Sequence, residues 1–382
     1  MTNNTLSNTV APLTGAAQPA KARVLIFSLR NIIGTALFRC PHFEFEDTIC
    51  KIDSAELFAP KVDPSSWRFS FATQLAYHAP ITLNPGIPGL SDKGPYDILF
   101  TICGFPQDLL TFSGAGNFKG VCRTSVCLLD ELWINDIAKH RHFLRILEKF
   151  DVVMLYYSQT VKPLGERIQR RCAFLPPGID AISFCPYPDP VERVIDVYSI
   201  GRRSQITHQK LLAWARENRR FYLYDTIRGN QTSNSKEHRA LFANAIRRSR
   251  YFIVNPGKID EPGQRGRQIE IGNRYFEGAA SGAIMVGEQP ANEAFKSLFD
   301  WPDAVTQVSY DSRDIDMVIK DLDGDPERLE RIRRTGVVQA LMRHDWVYRW
   351  EAVLKSVGLA PMQAAEERKV RLRKLAEIAS RS

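Results

Sequence analysis

The sequence predicts an α/β protein built from two Rossmann-like, doubly wound domains that face each other across a cleft. Three observations support this prediction. The chain has 382 residues, which is more than one ordinary hydrophobic core requires, so two domains are expected. Its short apolar runs are nearly continuous, as is typical of parallel strands that are buried on both faces. Strand-like and helix-like segments alternate, stop at a proline-rich stretch, and then alternate again.

The first domain is predicted to span residues 22–180. Five apolar runs predict its strands, at residues 22–29, 96–105, 120–129, 150–158 and 171–178. The segments RHFLRILEKF and TVKPLGERIQRR between these runs predict crossover helices. Residues 1–21 are polar and small and lack the charged start and apolar block of a signal peptide, so we expect a disordered tail.

The second domain is predicted to span residues 193–340, after a linker at 181–192. The linker prediction depends on three prolines, Pro186, Pro188 and Pro190, in a stretch without periodicity. Strand and helix patterns then restart with VIDVYSIG, THQKLLAWARENR, FYLYDT, SKEHRALFANAIRRS and RYFIVNP. Residues 341–382 read as helices, and one of them places Trp346 and Trp350 on a single face that must be buried.

Composition narrows the class of protein. A hydrophobic content of 44% and a charged content of 25% fit a soluble globular protein, and no apolar run reaches the roughly eighteen residues of a membrane span. Seven scattered cysteines without a C-x-x-C pair indicate reduced thiols in a cytoplasmic protein. The net charge of +8 favours anionic ligands. Nucleic acid is not an expected partner, because no nucleic-acid-binding module is recognisable.

Residues 272–289, GNRYFEGAASGAIMVGEQ, predict a helix of small residues that runs into an apolar strand. Asn273 is the expected N-cap, and Arg274 and Glu277 lie one turn apart on the side opposite the core stripe. The free N–H groups at the start of such a helix attract an anion such as a diphosphate, and Arg274 adds to that charge. Glu277 can accept hydrogen bonds from a ribose diol. The alternative is a solvent-exposed ion pair between the two side chains.

The segment NRYFEGAASGAIMV resembles the signature of the glycosyl transferases group 1, the retaining enzymes of GT-B fold that use nucleotide sugars. Three other segments are similar to that family in the same order: residues 175–180 (LPPGID), 196–212 (DVYSIGRRSQITHQKLL) and 344–359 (HDWVYRWEAVLKSVGL). The resemblance covers roughly 180 residues from Leu175 onward. It implies a C-terminal helix that crosses back onto the N-terminal domain. Residues before Leu175 fit only as a generic α/β domain, which would bind the acceptor.

The resemblance implies roles for single residues in the donor site. Glu277 matches the second glutamate of the family's pair, which contacts the nucleotide ribose. The first glutamate would stand at Ile269, so either Glu270, one position away, takes its role through a shift, or that role is vacant.

The resemblance also implies a phosphate-binding set that begins at Gly201. Arg202 matches the phosphate-binding arginine that follows this glycine, and Lys210 is the candidate partner lysine, although its spacing is longer than usual. Arg203 and His208 are the alternatives. Arg202, Lys210 and Glu270 are therefore the expected catalytic residues, and Gly201, Arg203, Asn273, Arg274 and Glu277 the expected nucleotide-binding residues.

Two residues of the first domain are candidates for acceptor or sugar contacts. Gly34 follows the first strand, where it either allows a close approach of the donor phosphate or only turns the chain. Glu131 ends a strand on the expected cleft side, where it either binds a sugar or begins a helix. No metal is expected, because the D-x-D sequence at residues 314–316 reads as a helix start, and residues 321–327 (DLDGDPE) lack the ligands of a calcium loop.

The implied activity is a metal-independent hexosyl transfer, with retention, from a nucleotide diphosphate sugar to a glycan, a lipid-linked or another acceptor, as in polysaccharide biosynthesis. No cofactor is implied besides the donor itself. The alternative is a catalytically inactive protein of the same fold that binds a nucleotide sugar or a glycan. The basic, amphipathic residues 366–382 predict a solvated terminal helix or, alternatively, peripheral contact with the inner membrane surface.

Overall fold

The computed structural model describes residues 22–90, 92–113, 118–226 and 231–381, and the predicted tail at 1–21 lies outside this part of the chain. Two parallel sheets form the core of the described residues, one of six strands and one of five. Helices cover both sheets, so the prediction of two Rossmann-like domains is confirmed.

The six-stranded sheet belongs to the first domain and has the order β2-β1-β3-β4-β5-β6. Its strands are β1 (Val24–Phe27), β2 (Ala55–Phe58), β3 (Tyr96–Cys103), β4 (Cys122–Leu129), β5 (Val152–Leu155) and β6 (Cys172–Phe174). The helices of this domain are α1 (Arg30–Ile33), α2 (Cys40–Ile52), α3 (Trp67–His78), α4 (Arg141–Leu144) and α5 (Val161–Ile168). The five predicted strands are present, whereas β2 was not predicted. It is an edge strand of four half-buried residues, AELF, and therefore lacks the continuous apolar run of its neighbours.

The five-stranded sheet belongs to the second domain and has the order β11-β10-β9-β7-β8. Its strands are β7 (Ile195–Ser199), β8 (Tyr222–Tyr224), β9 (Ser249–Val254), β10 (Ile284–Gly287) and β11 (Thr306–Gln307). The remaining helices are α6 (Ala181–Phe184), α7 (Gln205–Glu217), α8 (Ser235–Arg247), α9 (Pro262–Arg265), α10 (Asn273–Ser281), α11 (Glu293–Leu298), α12 (Ile315–Asp323), α13 (Pro326–Arg343), α14 (Trp346–Ser356) and α15 (Gln363–Arg381).

Two predicted boundaries need correction. The segment predicted as a linker, 181–192, begins with helix α6, because the Asp180 side chain caps it by accepting a hydrogen bond from the Ser183 N–H. The predicted domain end at 340 falls inside α13, which continues to Arg343 as one helix. The chain turns only at His344 and Asp345, where the Asp345 side chain caps α14.

Helices α14 and α15 cross back onto the first domain, as predicted. The Trp346 ring stacks on Phe45 of α2 at 4.6 Å between centroids, and the Trp350 Nε1–H donates to Asp53 Oδ2 at 2.7 Å. Helix α15 packs against α13 and α2, and Arg368 binds Asp345. The apolar face of α15 is therefore covered by the protein itself. Among the described ranges, no helix is both long and apolar enough to cross a membrane.

The strand orders determine where a ligand site can form. In each sheet the strand order reverses beside the first strand, because β1 lies between β2 and β3 and β7 lies between β8 and β9. Ligands of open α/β sheets bind beyond the carboxyl ends of the strands at such switch points. The segments after β1, β3 and β4 and those after β7 and β9 line one common cleft between the two domains.

We expect Gly178→Ala to destabilise the contact between α14 and the first domain. A Cβ at Gly178 would lie 2.5 Å from Cε3 of Trp346, whose ring is held by its stack on Phe45. Overpacking of this kind costs about 1–3 kcal/mol of the free energy of unfolding, which urea denaturation measures. Gly120→Ala is the control, because no atom lies within 4 Å of its added Cβ. Equal losses in both variants would contradict the packing argument.

Candidate functional site

The cleft between the domains has a cavity volume of about 690 Å³. The first domain lines it with residues that follow β1, β3 and β4, among them Phe38, Phe105 and Glu131. The second domain contributes Gly201 and Arg202 after β7, Lys258 after β9, and the start of α10. Cations from several elements thus meet in one cavity that is large enough for a nucleotide.

Glu277 lies in the wall of this cleft inside a buried chain of charges. Its Oε1 accepts a hydrogen bond from Nη1 of Arg239 at 2.6 Å, and its Oε2 accepts one from Nη1 of Arg274 at 2.6 Å. Arg239 in turn donates from Nε to Oε2 of Glu44 in the first domain at 2.6 Å. The ion pair between Arg274 and Glu277 that the alternative predicted does form, but the Glu277 side chain is only 1% exposed, so its carboxylate does not face solvent.

The two arginines keep Glu277 ionised. Burial by itself would raise the pKa of this carboxyl, but the charges of Arg274 and then Arg239 outweigh burial and lower the pKa below its usual value. Burial likewise opposes the charge of Arg239, and Glu44 and Glu277 together raise the pKa of the guanidinium. The Glu44–Arg239–Glu277 chain is thus a charged unit that joins the two domains.

The N-terminus of α10 opens into the cleft. Gly272 is its N-cap residue, and no side chain of the described residues caps it. Asn273, the predicted cap, is instead the first helical residue, because Gly272 already has the extended backbone of a cap position. The helix is nine residues long, and its first N–H groups and its dipole face the cavity beside Arg274.

Two further cations reach the cavity from loops. Gly201, with a φ of +84° that favours glycine, precedes Arg202 in a tight turn after β7. Arg202 is 44% exposed, and its Nη1 contacts Asp260 at 2.9 Å and Glu261 at 2.5 Å. The Lys258 Nζ lies 2.5 Å from Oε1 of Glu131, so it joins the walls contributed by the two domains.

The same architecture occurs in solved structures. The UDP-forming α,α-trehalose-phosphate synthase of Burkholderia xenovorans matches with a TM-score of 0.54 and 11% identity over 88% of this chain and 99% of its own. The corresponding enzyme of Burkholderia vietnamiensis matches with a TM-score of 0.54 and 12% identity over the same shares. HepE of Anabaena, solved in complex with UDP-glucose, matches with a TM-score of 0.51 and 11% identity, again over 88% and 99%.

At the level of sequence, residues 196–355 match the family described as glycosyl transferase-like. This stretch holds most of the second domain and nearly all of α14. No curated protein matches the sequence significantly. The chain has the GT-B fold of glycosyltransferases.

Five of the predicted nucleotide or phosphate residues line the GT-B cleft, and a predicted sugar contact lines it as well: Gly201, Arg202, Asn273, Arg274, Glu277 and Glu131. Two sequence motifs, at residues 201–202 and 273–277, and the end of one strand, at Glu131, identified these residues. Their roles toward a ligand remain predictions.

Three other candidates lie outside the cleft. The Lys210 Nζ pairs with Oδ2 of Asp316 on α12 at 3.0 Å, because α7 begins at Gln205 and carries this lysine away from the switch point. Arg203 turns to the Asp225 backbone carbonyl at 2.8 Å, in a smaller neighbouring pocket. His208 is buried, with Nδ1 3.0 Å from the Tyr222 hydroxyl.

Glu270 also lies outside the cleft, which favours the second of the two alternatives, that the role expected at Ile269 is vacant. Its carboxylate accepts hydrogen bonds from the backbone N–H groups of Ser158 and Gln159 at 3.0 and 3.1 Å, in the turn that leads into α5. Gln268 Nε2 donates to it at 2.7 Å. Glu270 therefore connects the second domain to the first instead of facing a ligand.

Two roles were considered for Gly34, a close approach of the donor phosphate and a turn of the chain, and the structure favours the turn. A Cβ at this position would lie 1.8 Å from the Arg30 carbonyl oxygen, so the glycine serves the turn that ends α1. Asp314 and Asp316 also have protein partners, since Asp314 accepts from the Ser312 hydroxyl and Asp316 pairs with Lys210. Within the described ranges, no group of three or more His, Cys, Asp or Glu residues could hold a metal ion.

Among the cleft residues that sequence reasoning missed are Arg239, Lys258 and Asp130. Arg239 sits in a helix whose many charges look like an ordinary solvated face, and Lys258 sits in a loop without a motif. Asp130 precedes the predicted Glu131 and lies 2.7 Å from Nε2 of the buried His42. The signal for Asp130 was available, since it directly follows a buried strand, whereas nothing in the sequence distinguishes the two cations.

Glu270 provides a pH-dependent contribution to stability. Burial raises the pKa of its carboxyl to about 7, although hydrogen bonds from Gln268, Gln159 and Ser158 oppose that shift. The folded protein then binds a proton that the unfolded chain has already released above about pH 4.5. This contribution is fully present below about pH 4.5 and is lost as the pH rises through about 7.

Between pH 5 and pH 8, we expect the free energy of unfolding of wild type to fall by about 2–3 kcal/mol relative to that of Glu270→Gln. The reason is that the amide of the variant cannot ionise. Urea denaturation of both proteins at both pH values measures this difference. The cost of replacing one carboxylate oxygen by an NH₂ group is the same at each pH and cancels. Parallel stability profiles for the two proteins would contradict the assignment.

Proposed function

We propose that this protein is a glycosyltransferase that moves a sugar from a nucleotide diphosphate sugar to an acceptor hydroxyl. The observation that carries the proposal is the meeting of Arg202, Lys258 and Arg274 with the open N-terminus of α10 in one interdomain cleft. Such a set binds a diphosphate through charge-assisted hydrogen bonds, worth about 1.5–3 kcal/mol each. The GT-B fold and the family match of residues 196–355 support the same activity.

In this proposal the cations stabilise the charge that grows on the departing nucleoside diphosphate. Because three side-chain cations and a helix dipole serve this purpose, the mechanism needs no metal ion. Glu277, held ionised by its arginines, accepts hydrogen bonds from the ribose diol. Its carboxylate is covered in the free protein, so binding requires Arg274 to turn from Glu277 toward the diphosphate.

The finer features of the proposal come from the resemblance to the glycosyl transferases group 1. They are hexosyl transfer with retention, a glycan or lipid-linked acceptor, and a place in polysaccharide biosynthesis at the cytoplasmic side, with peripheral contact to the membrane. Uridine is the base to test first, since HepE was solved with UDP-glucose and the two trehalose-phosphate synthases form UDP.

A second candidate is a catalytically inactive protein that binds a nucleotide sugar or a glycan. It is favoured by Ile269, which stands where the family has its first glutamate, and by Glu270, whose carboxylate faces the first domain. Incubation with labelled UDP-glucose, GDP-mannose and ADP-glucose separates the two candidates. Release of nucleoside diphosphate supports the enzyme, and binding without turnover of any donor, with or without added acceptor glycans, supports the inactive protein.

The donor site is tested by calorimetric titration of UDP, GDP and ADP into wild type, Arg202→Met and Lys210→Met. We expect Arg202→Met to bind its nucleotide about 10- to 100-fold more weakly, because a cation in the cleft is lost. Lys210→Met is the matched control and should bind like wild type, since that lysine pairs with Asp316 outside the cleft. Equal weakening in both variants, or no binding to wild type, would contradict the proposed site.

A further inference from the structure

A groove with a volume of about 380 Å³ lies between helix α2 of the first domain and helix α8 of the second. Residues about one turn apart on α2, from Cys40 to Lys51, line one side, and residues of α8, from Ser235 to Arg247, line the other. The start of α6, where the chain leaves the first domain, completes the lining. A ligand in this α2–α8 groove would therefore contact both domains and the segment that connects them.

Two carboxylates of the groove already have close partners in the protein. Oε2 of Glu44 accepts a hydrogen bond from Nε of Arg239 at 2.6 Å. Oδ1 of Asp180 accepts one from Nη2 of Arg368 at 2.7 Å. The negative charge of these two side chains is thus balanced before any ligand binds.

The cations of the groove are balanced less completely. Among the described residues, Lys51 and Arg247 form no ion pair, and Nε of Arg247 donates to a backbone carbonyl of its own helix. Lys236 lies 3.4 Å from Asp47, which already accepts a hydrogen bond from Arg30 at 3.0 Å. The groove therefore keeps positive charge that the free protein does not neutralise, and a concave site of this kind attracts an anion.

The same groove can bind hydroxyl groups. Ser183 is exposed and Ser235 is half-buried in its lining. The side chains of Asp47 and Asp180 remain 17% and 12% exposed, and a carboxylate has about four acceptor sites, so both can accept further hydrogen bonds. An apolar ligand would desolvate these groups without pairing them, whereas a sugar or polyol would pair with them.

The groove and the cleft share Arg239, which lines both. This side chain donates to Glu44 beside the groove and, at 2.6 Å, to Glu277 in the wall of the cleft. A ligand that contacts α2 and α8 together would hold the two domains in the arrangement that forms the cleft. A second ligand that binds a protein already ordered in this way loses less conformational entropy, so the two ligands bind with positive cooperativity.

We propose that the α2–α8 groove binds a small sugar or polyol phosphate and that its occupation strengthens nucleotide binding in the cleft. Lys51, Lys236 and Arg247 bind the phosphate through charge-assisted hydrogen bonds, and Asp47 and Asp180 bind hydroxyl groups. The volume of about 380 Å³ is near the lower end of the roughly 300–1,000 Å³ of ligand pockets, which suits one ring. The effect on the nucleotide rests on the proposed function, whereas the binding of the phosphate compound does not.

The test is calorimetric titration of ribose 5-phosphate and of glycerol 3-phosphate into the full chain. We expect at least one of them to bind saturably. The neutral parents, ribose and glycerol, lack the charge, and phenyl phosphate lacks the hydroxyl groups, so each should bind at least about tenfold more weakly.

Four variants locate the binding. Lys51→Met and Arg247→Met should each weaken binding of the phosphate compound about tenfold, because one charge-assisted contact is lost. Lys149→Met is the matched control and should bind like wild type, since this lysine is exposed and lies outside the groove. Arg202→Met should also bind the phosphate compound like wild type, because Arg202 lines the cleft and not the groove.

The coupling is measured by repeating each titration in the presence of the other ligand. Saturating phosphate compound should tighten UDP binding about fivefold, and saturating UDP should tighten binding of the phosphate compound by the same factor, because coupling between two sites is reciprocal. Thermal unfolding of the variants establishes that they are folded, and two independent groove substitutions protect the test against the failure of one.

No saturable binding, equal binding of phenyl phosphate, or unchanged affinity in both groove variants would overturn the site. Equal weakening by Lys149→Met, or displacement of the phosphate compound by UDP, would overturn it as well. An unchanged affinity for UDP would overturn only the effect on the cleft. If UDP does not bind at all, the glycosyltransferase proposal fails, and the groove variants still decide whether the groove is a site.

Discussion

The arrangement of this protein depends on the carboxylate of Glu44, whose side chain is only 10% exposed. It accepts hydrogen bonds from Arg239 of the second domain, from the Trp346 indole of α14 and from the backbone N–H of Asp180 before the linker. Breaking a buried ion pair by removal of one partner typically costs about 3–5 kcal/mol. Because Arg239 also holds Glu277, the contact between the domains and the position of the cleft carboxylate are determined by the same charges.

The interface between the domains has two chemically different parts. Behind the cleft it is apolar and aromatic, where Trp346 and Trp350 pack on the first domain. Beside the cleft it is polar, formed by Glu270 at the turn before α5 and by a row of four side chains in contact, Glu131, Lys258, Gln264 and Asp136. The side chains of this row are partly exposed, whereas Glu270 is buried. Partly exposed polar contacts exchange with water at lower cost than apolar packing or buried contacts do. Adjustments on ligand binding are therefore expected along the row from Glu131 to Asp136.

The cationic side chains of the cleft are already paired with carboxylates. Arg274 and Arg239 hold Glu277, and Asp260 and Glu261 hold Arg202, so the free protein satisfies its charges internally. A diphosphate would compete with these carboxylates for the same guanidinium groups. The affinity for a nucleotide then depends on the difference in free energy between the ion pairs with the diphosphate and the ion pairs within the free protein. When the product leaves, the ion pairs within the protein form again.

The sequence by itself determined the two-domain α/β fold and the helical segment from Asn273 to Glu277, because periodicity and short motifs encode local structure. The crossing of the C-terminal helix was implied by the family resemblance. The sequence could not place Lys210, Arg203 or Glu270, since the direction of a side chain depends on the helix or turn that carries it and on the charges nearby. Only the tertiary structure brought Lys258, Arg239 and Asp130 to the cleft. These residues are distant in sequence, and their common position results from strand order and from domain contacts that no local pattern records.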